Sequence, residues 1–315
     1  MIRPTPRVAV PTALLTLLWG LTAPSAQAYV RTRTVDNNNP IAWTRSCVFV
    51  APSTQGAGSL TQTEILAAVN GAANAWNAVG CSYIQLRVGT PEPGLEAGFD
   101  QDRAPKNVIV FQDESWPYDP SAAALTTITY LSSSNADSDG QIVDADVEIN
   151  GVNFEFATDG HPTQHDLQNV LTHELGHVLG LDHTCDDGMI NPTPLDHTGT
   201  PIPSCFPQSQ LPLVVTAATM YNFAAPGEIG KRTLEPDDSN GLCAIYPSAE
   251  DPLVCEPVPP ISGRPTCNCS ARSVTAGEAL PWLLVLGLLW AFRIRRRRRR
   301  RAGFTAPACS PSRRQ

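Results

Sequence analysis

The residues best suited to chemistry lie together in the segment LTHELGHVLGLDH, residues 171–183. His173 and His177 are four positions apart, so on a helix their imidazoles lie one turn apart on one face and can bind the same metal ion. Glu174 lies beside the first histidine, where its carboxylate could take a proton from water. Gly180 permits a sharp turn that would bring His183 to the same ion. The spacing predicts a helix and a turn built around one metal centre.

This set of side chains favours a catalytic zinc ion over a structural one. Three neutral imidazoles leave the fourth tetrahedral position to water. The ion would lower the pKa of that water to about 7 and polarise a carbonyl group, with Glu174 as the general base. The alternative to a metal centre is three histidines with ordinary structural partners. Gly180 and His183, at fixed offsets from the first two histidines, argue against this alternative. We therefore predict zinc as the cofactor and peptide-bond hydrolysis as the reaction.

The segment 173–183 matches the metzincin zinc-protease signature at every defined position. Within that clan it resembles the matrixins, the matrix-metalloprotease-like branch. ATMYNF resembles the Met-turn of the family, with Met220 beneath the zinc, and LEPDDSNGLCAIYP resembles its closing helix. The resemblance implies that Asp237 or Asp238 supports the Met-turn and that Tyr221 helps to stabilise the transition state.

The fold that the resemblance implies is an α+β metzincin, or zincin-like, fold. It has a twisted, mostly parallel sheet with one antiparallel edge strand, a backing helix, an active-site helix and a small C-terminal subdomain. The residue patterns agree with this order. Strand patterns alternate with a helix that Thr61 or Thr63 would cap, and Asp166 would cap the active-site helix. Other α+β domains would fit the same order of elements.

Five carboxylates lie close together in sequence, between the strand pattern LTTITYL and the end of QIVDADVEIN. They are Asp137, Asp139, Asp144, Asp146 and Glu148. Calcium prefers such oxygen ligands, which makes it a candidate second ion. The interpretation that we favour is a solvated loop followed by the exposed face of an edge strand.

The cysteines indicate disulfides in an exported protein. Six of the nine lie in the predicted globular part. Sequence cannot fix their connectivity, and our working hypothesis is sequential pairing: Cys47 with Cys81, Cys185 with Cys205, and Cys243 with Cys255.

Both ends of the chain have the composition of targeting segments. Residues 1–28 have the basic, apolar and small-residue regions of a signal peptide. Residues 276–315 contain an apolar run, Ala279–Phe292, followed by an arginine cluster, which predicts a membrane segment with a cytoplasmic tail. With Cys267 and Cys269, this end resembles the C-terminal sorting tags of myxobacterial surface proteins. The remainder divides into a catalytic domain, 29–250, and a proline-rich stalk, 251–275.

The charge distribution argues against nucleic acid as a partner. The whole chain has a net charge of −8, but the predicted exported part is more acidic. Residues 29–275 contain ten Lys and Arg against twenty-nine Asp and Glu, so their net charge is −19. We therefore predict a monomeric, secreted or surface-anchored zinc endopeptidase that cleaves extracellular proteins. The alternative is a zinc-binding adhesion module without turnover, and the presence of Glu174 favours the enzyme.

Overall fold

The computed structural model describes residues 28–56, 58–132, 138–188, 193–261 and 268–275. The α-helices there are α1 (Gln62–Asn77), α2 (Leu167–Val178), α3 (Leu213–Ala217) and α4 (Pro236–Ile245). The strands are β1 (Val30–Arg31), β2 (Cys47–Pro52), β3 (Gln85–Val88), β4 (Asn107–Gln112), β5 (Ala124–Ser132), β6 (Ile142–Asn150), β7 (Phe156–Ala157), β8 (His165–Asp166), β9 (Leu181–Asp182) and β10 (Asn268–Thr275).

Six of these strands form one sheet in the order β10-β5-β6-β4-β2-β3. Strands β3, β2, β4 and β6 are parallel, and β5 is antiparallel to β6. The predicted mixed α+β class and mostly parallel sheet are therefore present. Strand β10 pairs along the outer side of the antiparallel strand β5, from Asn268 opposite Ser132 to Thr275 opposite Leu125.

Helix α1 packs on the sheet and supports the active-site helix. Thr61 caps it with a capping box, in which the Thr61 hydroxyl accepts from the Glu64 amide and the Glu64 carboxylate accepts from the Thr61 amide. Its apolar face enters the main core. The indole of Trp76 donates to the carbonyl of Thr172 at 2.8 Å, which joins α1 to α2. The predicted cap at Thr61 is confirmed.

Helix α2 begins and ends where the sequence predicted. The Asp166 side chain accepts from the Asn169 amide at 2.9 Å and also forms an ion pair with Arg232. Gly180 has φ +87°, a left-handed conformation that costs glycine little, and it turns the chain away from the helix axis. Strand β9 then pairs with β1, so the turn is held by the N-terminal part of the domain.

Two of the three predicted disulfides are wrong. Cys185–Cys205 is present, but Cys47 pairs with Cys255 and Cys81 pairs with Cys243. Sequential pairing assumes short loops, whereas the fold returns its C-terminal part to the start of the sheet. The residues beside each bridge show this return, because the Ser46 amide donates to Val254 and the Tyr83 amide donates to Tyr246.

The acidic residues of β6 are not on an exposed edge strand, so that interpretation is wrong. Strand β6 lies between β5 and β4, and all nine of its residues are buried. Asp146 accepts from the amides of Gly98 and Val108, at 2.7 and 2.9 Å. Glu148 accepts from Gln112 and Tyr118, at 2.6 and 2.7 Å.

These carboxylates have protein donors as partners, and the structure adds no support for calcium. In the described part of the chain, the group of side chains with metal-ligand spacing is the histidine cluster of the metal centre. Asp137 lies outside the described residues. The Asp139 carboxylate accepts from Asn37 and Asn39 and is not part of the buried set.

The ends of the chain lie almost wholly outside the described residues. These include the predicted signal peptide up to residue 27 and the C-terminal segment 276–315. Among the described residues, no helix has both the length and the apolar character needed to cross a bilayer. Within the predicted stalk, residues 268–275 form strand β10.

The buried pair Asp144 and Asp146 predicts that the protein loses stability as the pH rises from acidic values towards about 8. Burial and the Asp146 carboxylate raise the pKa of Asp144 to about 8, and burial also raises the pKa of Asp146. An acid with a raised pKa in the folded state stabilises the fold below its unfolded pKa of about 4, and this contribution is lost as pH rises through about 8. Asp144→Asn cannot ionise, so it should lose less stability between about pH 6 and pH 8.

Thermal unfolding of the zinc-saturated protein tests this prediction. We expect the fall in Tm over that pH range to be smaller in Asp144→Asn by at least about 2 °C. Asp102→Asn, on an exposed loop, is the matched control and should behave as the wild type. An equal fall in all three proteins would contradict the prediction.

Candidate metal centre

The three predicted histidine ligands converge on one point. The Nε2 atom of His177 lies 3.1 Å from that of His173 and 3.2 Å from that of His183, and the remaining pair is 3.2 Å apart. Tetrahedral zinc with bonds of about 2.0–2.1 Å separates its nitrogen ligands by about 3.3 Å. The three side chains are buried. The donor set and its spacing therefore fit one zinc ion.

The opposite ring nitrogens have oxygen neighbours that orient the rings. Nδ1 of His173 lies 2.7 Å from the Thr219 carbonyl, and Nδ1 of His177 lies 2.9 Å from the Leu181 carbonyl. Nδ1 of His183 lies 3.9 Å from a carboxylate oxygen of Asp187. A carbonyl accepts only from a protonated nitrogen, so in His173 and His177 the Nε2 lone pairs face the centre.

Burial also keeps the first ligand neutral. It lowers the pKa of His173 well below the ordinary value, and the neighbouring His177, Lys231 and His183 lower it further. A neutral imidazole is the form that binds a metal ion. The centre is therefore ready to bind a cation at neutral pH.

Glu174 lies fully buried beside the three rings. Its Oε2 accepts from the Thr126 hydroxyl of β5 at 2.6 Å, while Oε1 has no hydrogen-bond partner among the described residues. Burial raises the pKa of Glu174 to about 8, against the lowering effects of Thr126 and Lys231. A bound cation would favour the ionised form. The carboxylate is thus held by one oxygen and has the other available to accept a proton.

The predicted Met-turn passes under the centre and is fixed by Asp238. One carboxylate oxygen of Asp238 accepts from the Thr219 amide at 2.8 Å, and the other accepts from the Met220 amide at 3.1 Å. Because the Thr219 carbonyl contacts His173, Asp238 positions that ligand through one intervening residue. Of the two candidate aspartates, Asp238 contacts the turn. Asp237 instead accepts from the Ala28 amide at 2.6 Å.

Gly176 makes room for the Met220 side chain. A Cβ atom at position 176 would lie 2.2 Å from Sδ of Met220 and 2.8 Å from Cζ2 of Trp76. Neither distance is possible for real atoms, so a larger residue at this position would displace the methionine or the helix.

A pocket opens next to the centre, between α2 and the segment after the Met-turn. Its walls include His173, Glu174, Phe154, Val170, Tyr221 and Lys231. The Tyr221 hydroxyl is buried and has no hydrogen-bond partner among the described residues. The pocket is therefore a mostly apolar recess with a few polar groups, directly beside the histidine cluster.

Sequence reasoning missed two residues of this site. Thr126 lies in an ordinary strand pattern, and Lys231 lies in a single 3₁₀ turn, Gly230–Arg232. Neither has a local signal that predicts a contact with Glu174 or with the pocket. Both reach the site through the tertiary fold.

Part of the chain is similar to a known protein family. Residues 95–224 match the family model Reprolysin_5, described as metallo-peptidase family M12. The matched range contains the three histidines, Glu174 and Met220. No curated protein sequence matches the chain. The family match and the histidine cluster together support a zinc metallopeptidase.

The first prediction from this site concerns Gly176. Gly176→Ala should force Met220 from its position and destabilise the zinc-bound protein by about 1–3 kcal/mol, because the added methyl group has no space. Thermal unfolding and metal analysis of the purified protein measure the effect. Gly80→Ala adds the same methyl group where no atom lies within 4 Å, so it is the matched control. Equal stability of the two variants would count against this packing.

The second prediction concerns Thr126. Thr126→Val keeps the shape of the side chain but removes the donor to Glu174, so the carboxylate loses the bond that orients it. We expect kcat to fall by at least about tenfold with metal content unchanged. Thr129→Val makes the same substitution on the opposite face of β5 and should keep wild-type kcat. A fall of similar size in both variants would show a general effect on the strand.

Proposed function

We propose that the protein is a zinc endopeptidase of the metzincin type that hydrolyses peptide bonds in extracellular proteins. The observation that carries the proposal is the buried carboxylate of Glu174, whose Oε1 has no partner among the described residues, directly beside three converging imidazoles. A purely structural zinc site has no use for such a group. The adhesion-module alternative is not favoured, because the family match is to peptidases.

His173, His177 and His183 would hold the zinc ion. When bound, the ion lowers the pKa of a water molecule and polarises the carbonyl of the peptide bond. The three rings meet the geometric requirement without rearrangement, since their Nε2 atoms already lie 3.1 to 3.2 Å apart.

Glu174 supplies the proton transfer. Oε1 accepts a proton from the attacking water as the new C–O bond forms at the carbonyl carbon. The same oxygen then gives that proton to the amide nitrogen as the C–N bond breaks, so the amine leaves neutral and the carboxylate is restored. Thr126 keeps the carboxylate in place through Oε2 during both transfers.

Glu174→Gln tests this role. The amide has nearly the same shape but cannot accept the proton, so we expect metal content to stay at one ion per chain while cleavage falls by about 10²–10⁴-fold. Casein zymography and a solution assay with casein measure activity, with and without a zinc chelator. Glu155→Gln, at an exposed position, is the control and should retain wild-type activity.

Two outcomes would contradict the proposal. The first is unchanged activity in Glu174→Gln, which would show that Glu174 is not the general base. The second is wild-type activity in the presence of the chelator together with no zinc in the purified protein. This result would show that catalysis does not depend on a zinc ion.

The position within the clan is also part of the proposal. The spacing of the three histidines, the methionine beneath them and the aspartate that fixes Met220 support a metzincin. The resemblance of Met220–Tyr221 and Asp237–Asp238 to the matrixins supports that branch, while the family match is to the M12 metallopeptidases. We keep a role for Tyr221 in stabilising the transition state as a proposal, supported by its place in the pocket wall.

We further propose that the protein acts outside the cytoplasm. Three disulfides support an oxidising location. The signal-peptide pattern of residues 1–28 supports export, and the apolar run with its arginine cluster supports anchoring at the cell surface. The domain division is proposed as a catalytic domain at 29–250, followed by the segment 251–275 and the membrane segment and tail at 276–315, with the protein acting as a monomer.

A further inference from the structure

A buried ammonium group lies in the wall of the pocket beside the metal centre. Lys231 is only 4% exposed. Its Nζ donates to the carbonyls of Tyr221 and Phe223, at 2.5 and 2.6 Å. Its backbone amide donates to the Asn169 side chain of α2 at 2.7 Å. The cation is therefore fixed in position relative to the active-site helix.

The ammonium has no anionic partner in contact within the described part of the chain. None of the ion pairs found there includes Lys231. An ammonium carries three donors, and carbonyls accept from two of them. Burial lowers the pKa of Lys231 to about 8, and the more distant Glu228, Asp238 and Glu174 act against this effect. Lys231 is still mostly charged at pH 7, and a buried charge without a counter-ion is costly.

A structural role explains only part of this arrangement. The two carbonyl contacts hold the segment after Met220 against α2, but a neutral donor would do the same without the cost of burying a charge. The other walls of the pocket include apolar groups from Phe154, Val170 and Ala123. A cation at one point of such a pocket suits a ligand that has a short aliphatic stem and a carboxylate.

We propose that Lys231 determines specificity and selects substrates with a glutamate or aspartate side chain next to the scissile bond. The inference rests on the proposed peptidase function, because the pocket shares His173 and Glu174 with the metal centre. The substrate carboxylate would pair with the Lys231 ammonium, and its aliphatic part would pack against the apolar walls. A lysine or arginine in the same position would be excluded by like charge.

The test begins with the wild-type full-length protein, purified in detergent under oxidising conditions and loaded with zinc. Mass spectrometry of a casein digest first gives a cleavable sequence. C-terminally amidated peptides based on it then carry Glu, Gln or Lys at each of the two positions that flank the cleaved bond. We expect kcat/KM for Glu to exceed that for Gln by at least tenfold at one of these positions, and Lys to be the poorest.

Variants of Lys231 assign the preference to this residue. Lys231→Met removes the charge, and Lys231→Gln removes the charge but keeps donors for the two carbonyls. Both should reduce the Glu-to-Gln ratio to within about twofold, whereas a purely structural defect would lower both rates equally. Lys106→Met, which removes a surface lysine paired with Glu92, is the matched control. Binding of the Glu and Gln peptides to the Glu174→Gln variant repeats the comparison without turnover.

The outcomes separate this inference from the proposed function. Cleavage without a preference for Glu would overturn the role of Lys231 and leave the peptidase intact, whereas no cleavage of any peptide or of casein would overturn the peptidase itself. If the Lys231 variants do not fold, the wild-type peptide series decides. Matched peptides with a free C-terminal carboxylate are assayed beside the amidated series. A preference seen only with these peptides would show that the ammonium binds a chain terminus, which would contradict the proposed side-chain selection.

Discussion

The structure depends on the convergence of three buried imidazoles on one point. Nitrogen lone pairs 3.1 to 3.2 Å apart repel each other unless a cation lies between them, so the fold must hold the rings in place. It does so with hydrogen bonds at the opposite ring nitrogens and with a helix that is capped at Asp166 and ended at Gly180. The central sheet and α1 then bury that helix.

Charged side chains hold the segments around the centre, and Asp238 and Lys231 among them are buried. Asp238 binds the two amides that place Met220, and Lys231 binds the two carbonyls that follow Met220 in the chain. Arg232 pairs with Asp166 at the start of the active-site helix. Asp238 and Lys231 thus act on a short stretch of backbone that lies outside the named helices and strands. The loops under the metal centre are therefore fixed by ionic side chains where strands or helices would otherwise be needed.

The parts of the site that are local in sequence could be predicted, and the parts that depend on tertiary contacts could not. His173, Glu174 and His177 share one helix, so their spacing alone defines the chemistry, and Thr61 and Asp166 cap helices through neighbours three residues away. Thr126 and Lys231 reach Glu174 and the pocket from distant segments. The exposed-edge prediction for β6 was wrong because alternating carboxylates are typical of a solvated strand. In the structure, β4, β5 and the loops beside them cover both sides of β6.

The disulfide between Cys81 and Cys243 has a further consequence for how the site is supported. Cys243 lies in α4, the same short helix that carries Asp238, and the bridge ties this helix to the end of α1. The helix that supports His173 through Asp238 is thus covalently linked to the segment that follows α1. Under reducing conditions this bridge would be absent, and α4 would be held to that segment by non-covalent contacts alone.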